Sequence, residues 1–460
     1  MHRARLLHAL VALTLMGGAP RAALAQEGPE GAASDAAIQF WRPLGDRVLE
    51  GLIARALESS PDVRAAAARV AAARAERLSA ALDLAPHVTA AGGYSRQQLA
   101  SAALGAPRAG TLPDQELWDA GLRLSWDVDV FGRTRSSLRA RGALLDAAEV
   151  GVEDAHVLLA AEVAAAYFDL RGGQERLRVA RRNAENQRST LQITIDRLEG
   201  GRGTALDTER ARAQLSSTLA VIPSLETAVA AAKNRIDALV GLPAGTAAAG
   251  LESDVAPPTL PEWIEPSDVD AVVHIRPDVR RAEHQVAASR ALVAAARADY
   301  LPRISVTGTA GYTANAVDAL GRSGTPRYSI GPVISWPLFD LGRVRAGVSA
   351  ARARASEARA EYDRAVLDAR RELETALIAY RGAKERLRHL EEAAAASERA
   401  SDLARLRFRE GASDFLQVLD AERTQLEAQD RLAAGRAEAT AALVAIYRAL
   451  GGQGAAPRSR

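Results

Sequence analysis

The stretch Trp118-Asp119-Ala120-Gly121-Leu122-Arg123-Leu124-Ser125-Trp126-Asp127-Val128 places an apolar side chain at every even position and a polar or small one at every odd position. Strand side chains alternate between faces with a period of two, so this segment reads as a β-strand with one apolar and one polar face. About ten residues of alternation with aromatic residues near the ends is the pattern of a membrane-barrel strand. A soluble sandwich strand with one wet face gives the same alternation, so one strand alone leaves both readings open. Three more segments lie to either side. Ile304, Val306, Gly308, Ala310 and Tyr312 alternate with Arg303, Ser305, Thr307, Thr309 and Gly311. Tyr328, Ile330, Pro332, Ile334, Trp336 and Leu338 alternate with mostly small or polar residues, Val333 excepted, and the segment Val88 to Tyr94 is the weakest of the four. Four strands cannot close a membrane barrel, whose known sizes begin at about eight, and an open edge in lipid leaves backbone groups unpaired. The chain is therefore expected to assemble with copies of itself; three copies would supply twelve strands.

The strands belong to a tandem duplication. Pro61-Asp62-Val63-Arg64 recurs as Pro277-Asp278-Val279-Arg280, and Pro86 recurs as Pro302 at the same offset of 216. From Trp126 and Trp336 onward the offset is 210: Gly132-Arg133 matches Gly342-Arg343, Gly201, Leu206 and Ala211 match Gly411, Leu416 and Ala421, and Gly241 matches Gly451. The first copy thus carries six more residues between Pro86 and Trp126, a change that a loop tolerates. Each copy reads helix, strand, loop, strand, long helix, glycine turn, helix. Residues 133–198 contain no Pro, and Glu199-Gly200-Gly201-Arg202-Gly203 ends the helix with turn chemistry. A second helix runs from about Thr204 to Val240 with Pro223 as a kink point. At 1.5 Å per residue the long arm spans about 100 Å, and two shorter helices of about 25 and 37 residues sum to nearly that length. The second copy repeats this with residues 343–409 as the long arm and 277–301 plus 412–450 as the short pair.

At the N-terminus Arg3 and Arg5 precede an apolar run from Leu6 to Met16, and Ala23-Leu24-Ala25 supplies a small–x–small pattern. That order is expected of an export signal over residues 1–25, an amphipathic first helix being the alternative. After Ala25 no run of 18 apolar residues appears, so no helix is expected to cross a membrane. Of 460 residues 48% are apolar and 25% charged, which excludes disorder as the main state. The formal charge of +2 becomes 56 basic against 57 acidic side chains once Arg3, Arg5 and Arg21 are removed, and no polyanion partner is implied. The chain has no Cys, hence no disulfide, thiolate metal site or lipid-modified cysteine. Only Lys233 and Lys384 are lysines, and neither closes a GxxxxGK loop; the His residues are scattered, and no G-x-S-x-G elbow occurs. No enzyme and no cofactor or metal are expected.

In order along the chain, Phe40-Trp41-Arg42-Pro43-Leu44-Gly45-Asp46, Leu52-Ile53-Ala54-Arg55-Ala56-Leu57, the repeated Pro-Asp-Val-Arg, the Trp-x-x-x-x-(Phe/Leu)-Gly-Arg strand exits, Ile222-Pro223-Ser224-Leu225-Glu226 and Gly411 through Ala421 resemble the TolC-like outer-membrane efflux proteins, NodT-type subgroup. The resemblance covers about residues 38–452. It implies an α+β membrane protein: a homotrimer whose four strands per chain share a twelve-stranded barrel continuous with a long helical periplasmic barrel. It also implies docking to a periplasmic adaptor and an inner-membrane transporter, of RND type in this subgroup. The corresponding division of the chain is 1–25 signal; 26–60 N-terminal periplasmic segment; 61–241 first repeat with its hairpin at 86–131; 242–276 equatorial linker; 277–451 second repeat with its hairpin at 302–341; and 452–460 tail. Many subgroup members carry an acylated cysteine after the signal, which this chain lacks, so the barrel alone is expected to hold it in the outer membrane.

In that family the tunnel closes near the glycine turns, here Gly201 and Gly411. Leu416 and Asp420 match constriction positions, Asp207 matches an acidic position of the first copy, and Arg423 a basic position near the same ring. A carboxylate repeated by threefold symmetry selects cations and repels its copies unless paired, and a leucine one helical turn away adds an apolar constriction on the same face. The plainer roles remain open: a solvated surface acid for Asp420, and a first-turn acid favoured by the helix dipole for Asp207 and Asp414. The function expected is the passive exit duct of a tripartite efflux pump carrying drugs or other small molecules. A duct for type I protein secretion and a secreted coiled-coil scaffold are the alternatives.

Overall fold

The computed structural model describes residues 37–98, 114–246, 251, 259–262, 264 and 268–453. The expected signal segment 1–25, residues 26–36, much of the linker and residues 454–460 of the tail lie outside the described residues. Helices α1 (Arg47–Ser59) and α2 (Pro61–Leu82) precede strands β1 (His87–Gln97) and β2 (Gln115–Val128), which lead into α3 (Arg133–Glu199) and α4 (Ala205–Leu239). The second copy follows as α5 (Val269–Ile275), α6 (Pro277–Ala298), β3 (Arg303–Ala314), β4 (Pro326–Ser335), α7 (Leu341–Arg409) and α8 (Phe415–Ala449). The duplication is visible in the element lengths. Helices α2 and α6 have 22 residues each, α4 and α8 have 35 each, and the long arms α3 and α7 have 67 and 69.

The strands form one antiparallel sheet in the order β1-β2-β3-β4. Its register decides the faces. Leu122 lies opposite Ala90 on β1 and Ala310 on β3, and Ala310 lies opposite Tyr328 on β4. Val88, Ala90 and Tyr94 of the weakly patterned β1 therefore join Trp118, Leu122, Leu124, Trp126, Ile304, Val306, Tyr312, Ile330 and Ile334 on one apolar face. From Trp118 to Trp126 this face spans about 27 Å at about 3.4 Å per residue, the height of a lipid-facing band. Tyr94 and Trp118 pack at 4.6 Å at one end. At the other end the indole N–H of Trp126 donates to the Leu84 carbonyl at 2.9 Å, and Trp336 donates to Tyr300 at 3.0 Å. Both copies thus tie a strand exit to the end of the helix that feeds the sheet. One expectation is corrected: the alternation continues to Leu338, but β4 ends at Ser335, because Pro337 has no N–H to extend the ladder.

Helix α6 packs against both long arms, α3 and α7, whereas among the described residues its counterpart α2 packs against one long arm, α3. Only Ala66 and Val70 of α2 are buried, and Leu78 and Leu82 are exposed; α6 buries six residues. Among the described residues, strands β1 and β4 likewise each pair on one edge only. Helix α4 is long and apolar enough by overall composition to cross a membrane, although it contains no run of 18 apolar residues. It lies along α3 throughout, and Glu226 within it pairs with Arg181 of α3 at 2.7 Å, so its place is in a helical hairpin.

The largest buried core sits at mid-height, where the Phe40–Asp46 motif wraps the helices. Trp41 is fully buried, with ring centroids 4.9 Å from Phe40, 4.9 Å from Tyr447 and 6.1 Å from Phe168. Arg42–Leu44 make a single 3₁₀ turn that Gly45 ends in the left-handed region at φ 66°. Asp46 then caps α1, accepting from the Val48 and Leu49 amides, and its other oxygen accepts from Tyr167 of α3. Burial, with Asp46 as hydrogen-bond partner, pushes the Tyr167 hydroxyl up to about 12.

Candidate functional site

The two glycine turns lie together at the end of the helices away from the sheet. Gly201 and Gly411 take φ of 66° and 74°, the left-handed conformation that ends a helix cheaply only at glycine. The Arg202 amide donates to the Arg197 carbonyl, and Ala412 to Arg407, closing the same loop in both copies. Arg197 joins the copies: its Nη1 donates to the Phe408 carbonyl at 2.6 Å while its guanidinium lies 4.4 Å above the Phe408 ring. A cation at the last turn of α7 is favoured there by the helix dipole. Ala211, Phe408, Phe415 and Val418 form a small apolar core beneath.

Leu416 stands at the second position of α8 and is 56% exposed, as is its counterpart Leu206 at 57%. Asp420 and Arg423 lie on the same exposed face and pair at 3.3 Å. Leu416, Asp420 and Arg423 are thus brought onto one stripe. Asp207 is engaged differently. The Thr204 hydroxyl caps α4 by accepting from the Asp207 amide at 3.2 Å, and it donates to the Asp207 carboxylate at 2.7 Å. Asp414, at the position matching Thr204, caps α8 by accepting from the Gln417 amide at 3.1 Å. These are the first-turn roles that the sequence left open.

Behind the stripe runs a buried polar seam between the copies, which the sequence reading missed. Glu422 is 4% exposed and accepts from Arg405 Nε of α7 at 3.0 Å and from Thr190 of α3 at 3.1 Å. Arg405 also donates to Ser401 at 2.9 Å and Gln425 at 3.1 Å, and Asn183 donates to Gln429 at 2.7 Å. Burial raises the Glu422 carboxyl above its usual range, with Arg405 and Thr190 opposing it. At the offset of 210, copy one has Ile195, Arg212 and Leu215 where copy two has Arg405, Glu422 and Gln425, but the copies differ at most positions of these helices, so the sequence alone does not mark the seam.

A membrane sheet with two open edges, rooted in a helical wall about 100 Å long, is one protomer of an outer-membrane channel of the TolC type. The chain belongs to the outer membrane efflux protein family, whose model matches residues 52–242 and 271–452. It is similar to nodulation protein T of Rhizobium leguminosarum bv. viciae, with 30% identity over 94% of this chain and 88% of that protein. It is also similar to the pyoverdine export outer membrane protein OpmQ of Pseudomonas aeruginosa, with 31% identity over 90% of this chain and 87% of that one. Among solved structures the outer-membrane channel OprN superposes with a TM-score of 0.84 at 38% identity, covering 90% of this chain and 92% of that chain.

Proposed function

We propose that three copies of this chain close a twelve-stranded outer-membrane barrel on a helical tunnel, and that the assembly is the passive exit duct of a tripartite efflux pump. The observation that carries this reading is the half-filled interfaces. Strands β1 and β4 each lack a partner on one edge, and α2 lacks the second long-arm contact that α6 has. In a ring, β4 of one copy pairs with β1 of the next, and α2 packs on the neighbour's α7, so that every strand and short helix has equivalent surroundings. Relatives include a toluene efflux pump outer membrane protein and a pyoverdine export outer membrane protein, which supports docking to a periplasmic adaptor and an RND-type inner-membrane transporter, with small molecules as cargo. With no Cys for a lipid, the barrel holds the protein in the membrane. The test is native mass in mild detergent. A trimer of about three times 46 kDa, the 48.6 kDa chain less a signal segment, is expected; a monomer released without detergent ends the proposal.

The gate follows from the same assembly. Leu416 supplies the apolar ring of the constriction, and Asp420 with Arg423 a charged ring one turn further, with Asp207 capping the adjoining turn. Asp420→Ala removes the carboxylate that Arg423 holds, and single-channel conductance in planar bilayers is expected to rise. Unchanged conductance would return Asp420 to a solvated helix surface.

A further inference from the structure

The polar face of the sheet carries an arginine with no acidic partner among the described residues. Arg123 is exposed at mid-height of the band, midway between Trp118 and Trp126 along β2. Its cross-strand neighbours are Thr89 on β1 and Thr309 on β3; Gly121 and Ser125 flank it along the strand, and His87 lies diagonally toward the helical end. None is a carboxylate. The nearest acid on this face, Asp119, is already committed: it accepts from Thr313 at 2.6 Å and from Arg327 of β4 at 2.9 Å. At the helical mouth Asp127 lies 4.0 Å from Arg133. No ion pair to Arg123 occurs among the described residues.

The wall around it is kept low. Gly121 and Gly311 face each other, and a Cβ on Gly121 would stand 2.5 Å from the Ala310 carbonyl oxygen, as one on Gly311 would crowd that of Ala120. Gly121, with Ala91 and Gly93 beside it, floors a shallow concavity of about 200 Å³, rimmed by Asp119, Arg123, Thr309 and Arg327. Of the side chains lining it, the two guanidiniums are the longest. Two arginines against one aspartate leave one positive charge per chain.

We propose that Arg123 makes the barrel lumen an anion-preferring filter: three copies set a ring of three uncompensated guanidiniums at mid-membrane, facing the permeating path. This rests on the trimeric duct, because only a closed barrel turns the apolar face to lipid and the Arg123 face to water. A ring of fixed like charge raises the local concentration of counter-ions and excludes co-ions. Its ligands are small inorganic anions and the carboxylate, phosphate or sulfonate groups of exported molecules.

The test is the reversal potential of the full-length protein in planar bilayers across a KCl gradient near 0.1 M. By Coulomb's law in water with a Debye length of about 10 Å, Arg123→Gln is expected to lower the chloride-to-potassium permeability ratio about threefold, and Arg123→Glu about tenfold. Arg123→Lys keeps the wild-type ratio, and the shift shrinks at 1 M salt. Detergent-extracted mass accompanies each variant to show that the assembly is intact. Pores whose ratio is the same in wild type, Arg123→Gln and Arg123→Glu overturn the filter and leave the duct standing; a wild type that forms no pores overturns both.

Discussion

Arg405→Ala is expected to destabilise the assembly by about 3 kcal/mol at neutral pH, because it strips the cation from a buried carboxylate. Glu422 would keep only Thr190 as a partner in a site almost closed to water. Burial already holds its pKa above the ordinary value of 4.5, and losing Arg405, which acts to lower it, raises it further. The sign follows from linkage: a carboxyl whose folded pKa is raised binds its proton more tightly when folded, so stability is lost as pH rises from the unfolded value through the folded one. The deficit of Arg405→Ala relative to wild type should therefore be largest at and above neutral pH and shrink on acidification toward the unfolded value. Melting temperatures in detergent across pH 5 to 8 read this directly. Glu422→Gln in the same background should recover most of the loss, since a neutral amide needs no cation. A deficit that is equal at every pH would mean that Arg405 contributes packing rather than charge.

Trp41→Ala is the second large effect, expected to cost about 3–5 kcal/mol. The indole is fully buried among Phe40, Phe168 and Tyr447, so it packs the N-terminal segment against α3 and the last turns of α8 at once. Rigid helices on every side cannot collapse into the space it leaves. Because Asp46 both caps α1 and accepts from Tyr167, loosening the segment also frees the start of α1. A lowered melting temperature and new protease sensitivity around residues 37–60 are expected, with Trp41→Phe retaining most of the stability. If Trp41→Ala melted like the wild type, the segment would be an ornament on the tunnel rather than its clamp.

Much of the fold was legible in the chain because its signals are local. Period-two alternation from Trp118 to Val128 marks a two-faced strand without reference to any other residue. The absence of Pro from 133–198 and the glycine turns at 201 and 411 set the helix arms, and the offsets of 216 and 210 double every inference. Strand β1 was only half legible. Its glycines and alanines give a faint alternation, and pairing with β2, where Tyr94 meets Trp118, assigns its faces.

The rest was decided by tertiary structure. Thr190 and Glu422 are 232 residues apart, and Arg197 and Phe408 are 211 apart. Whether such pairs meet depends on the rotational phase of long packed helices, where one residue of slip turns a side chain by about 100°. Asp207 shows the same limit from the other side, since spacing alone fits both a lumen acid and the first-turn partner of the Thr204 cap. The charge of Arg123 belongs here too: its position on the polar face is read from alternation, but its lack of an acidic partner among the described residues appears only once the register hands Asp119 to Arg327. Sequence by itself determined the elements, their lengths and their duplication, because backbone sterics and side-chain periodicity act within a few residues. Tertiary packing decided which charges are paired, because ion pairs and buried hydrogen bonds act over a few ångströms between residues that the chain holds far apart.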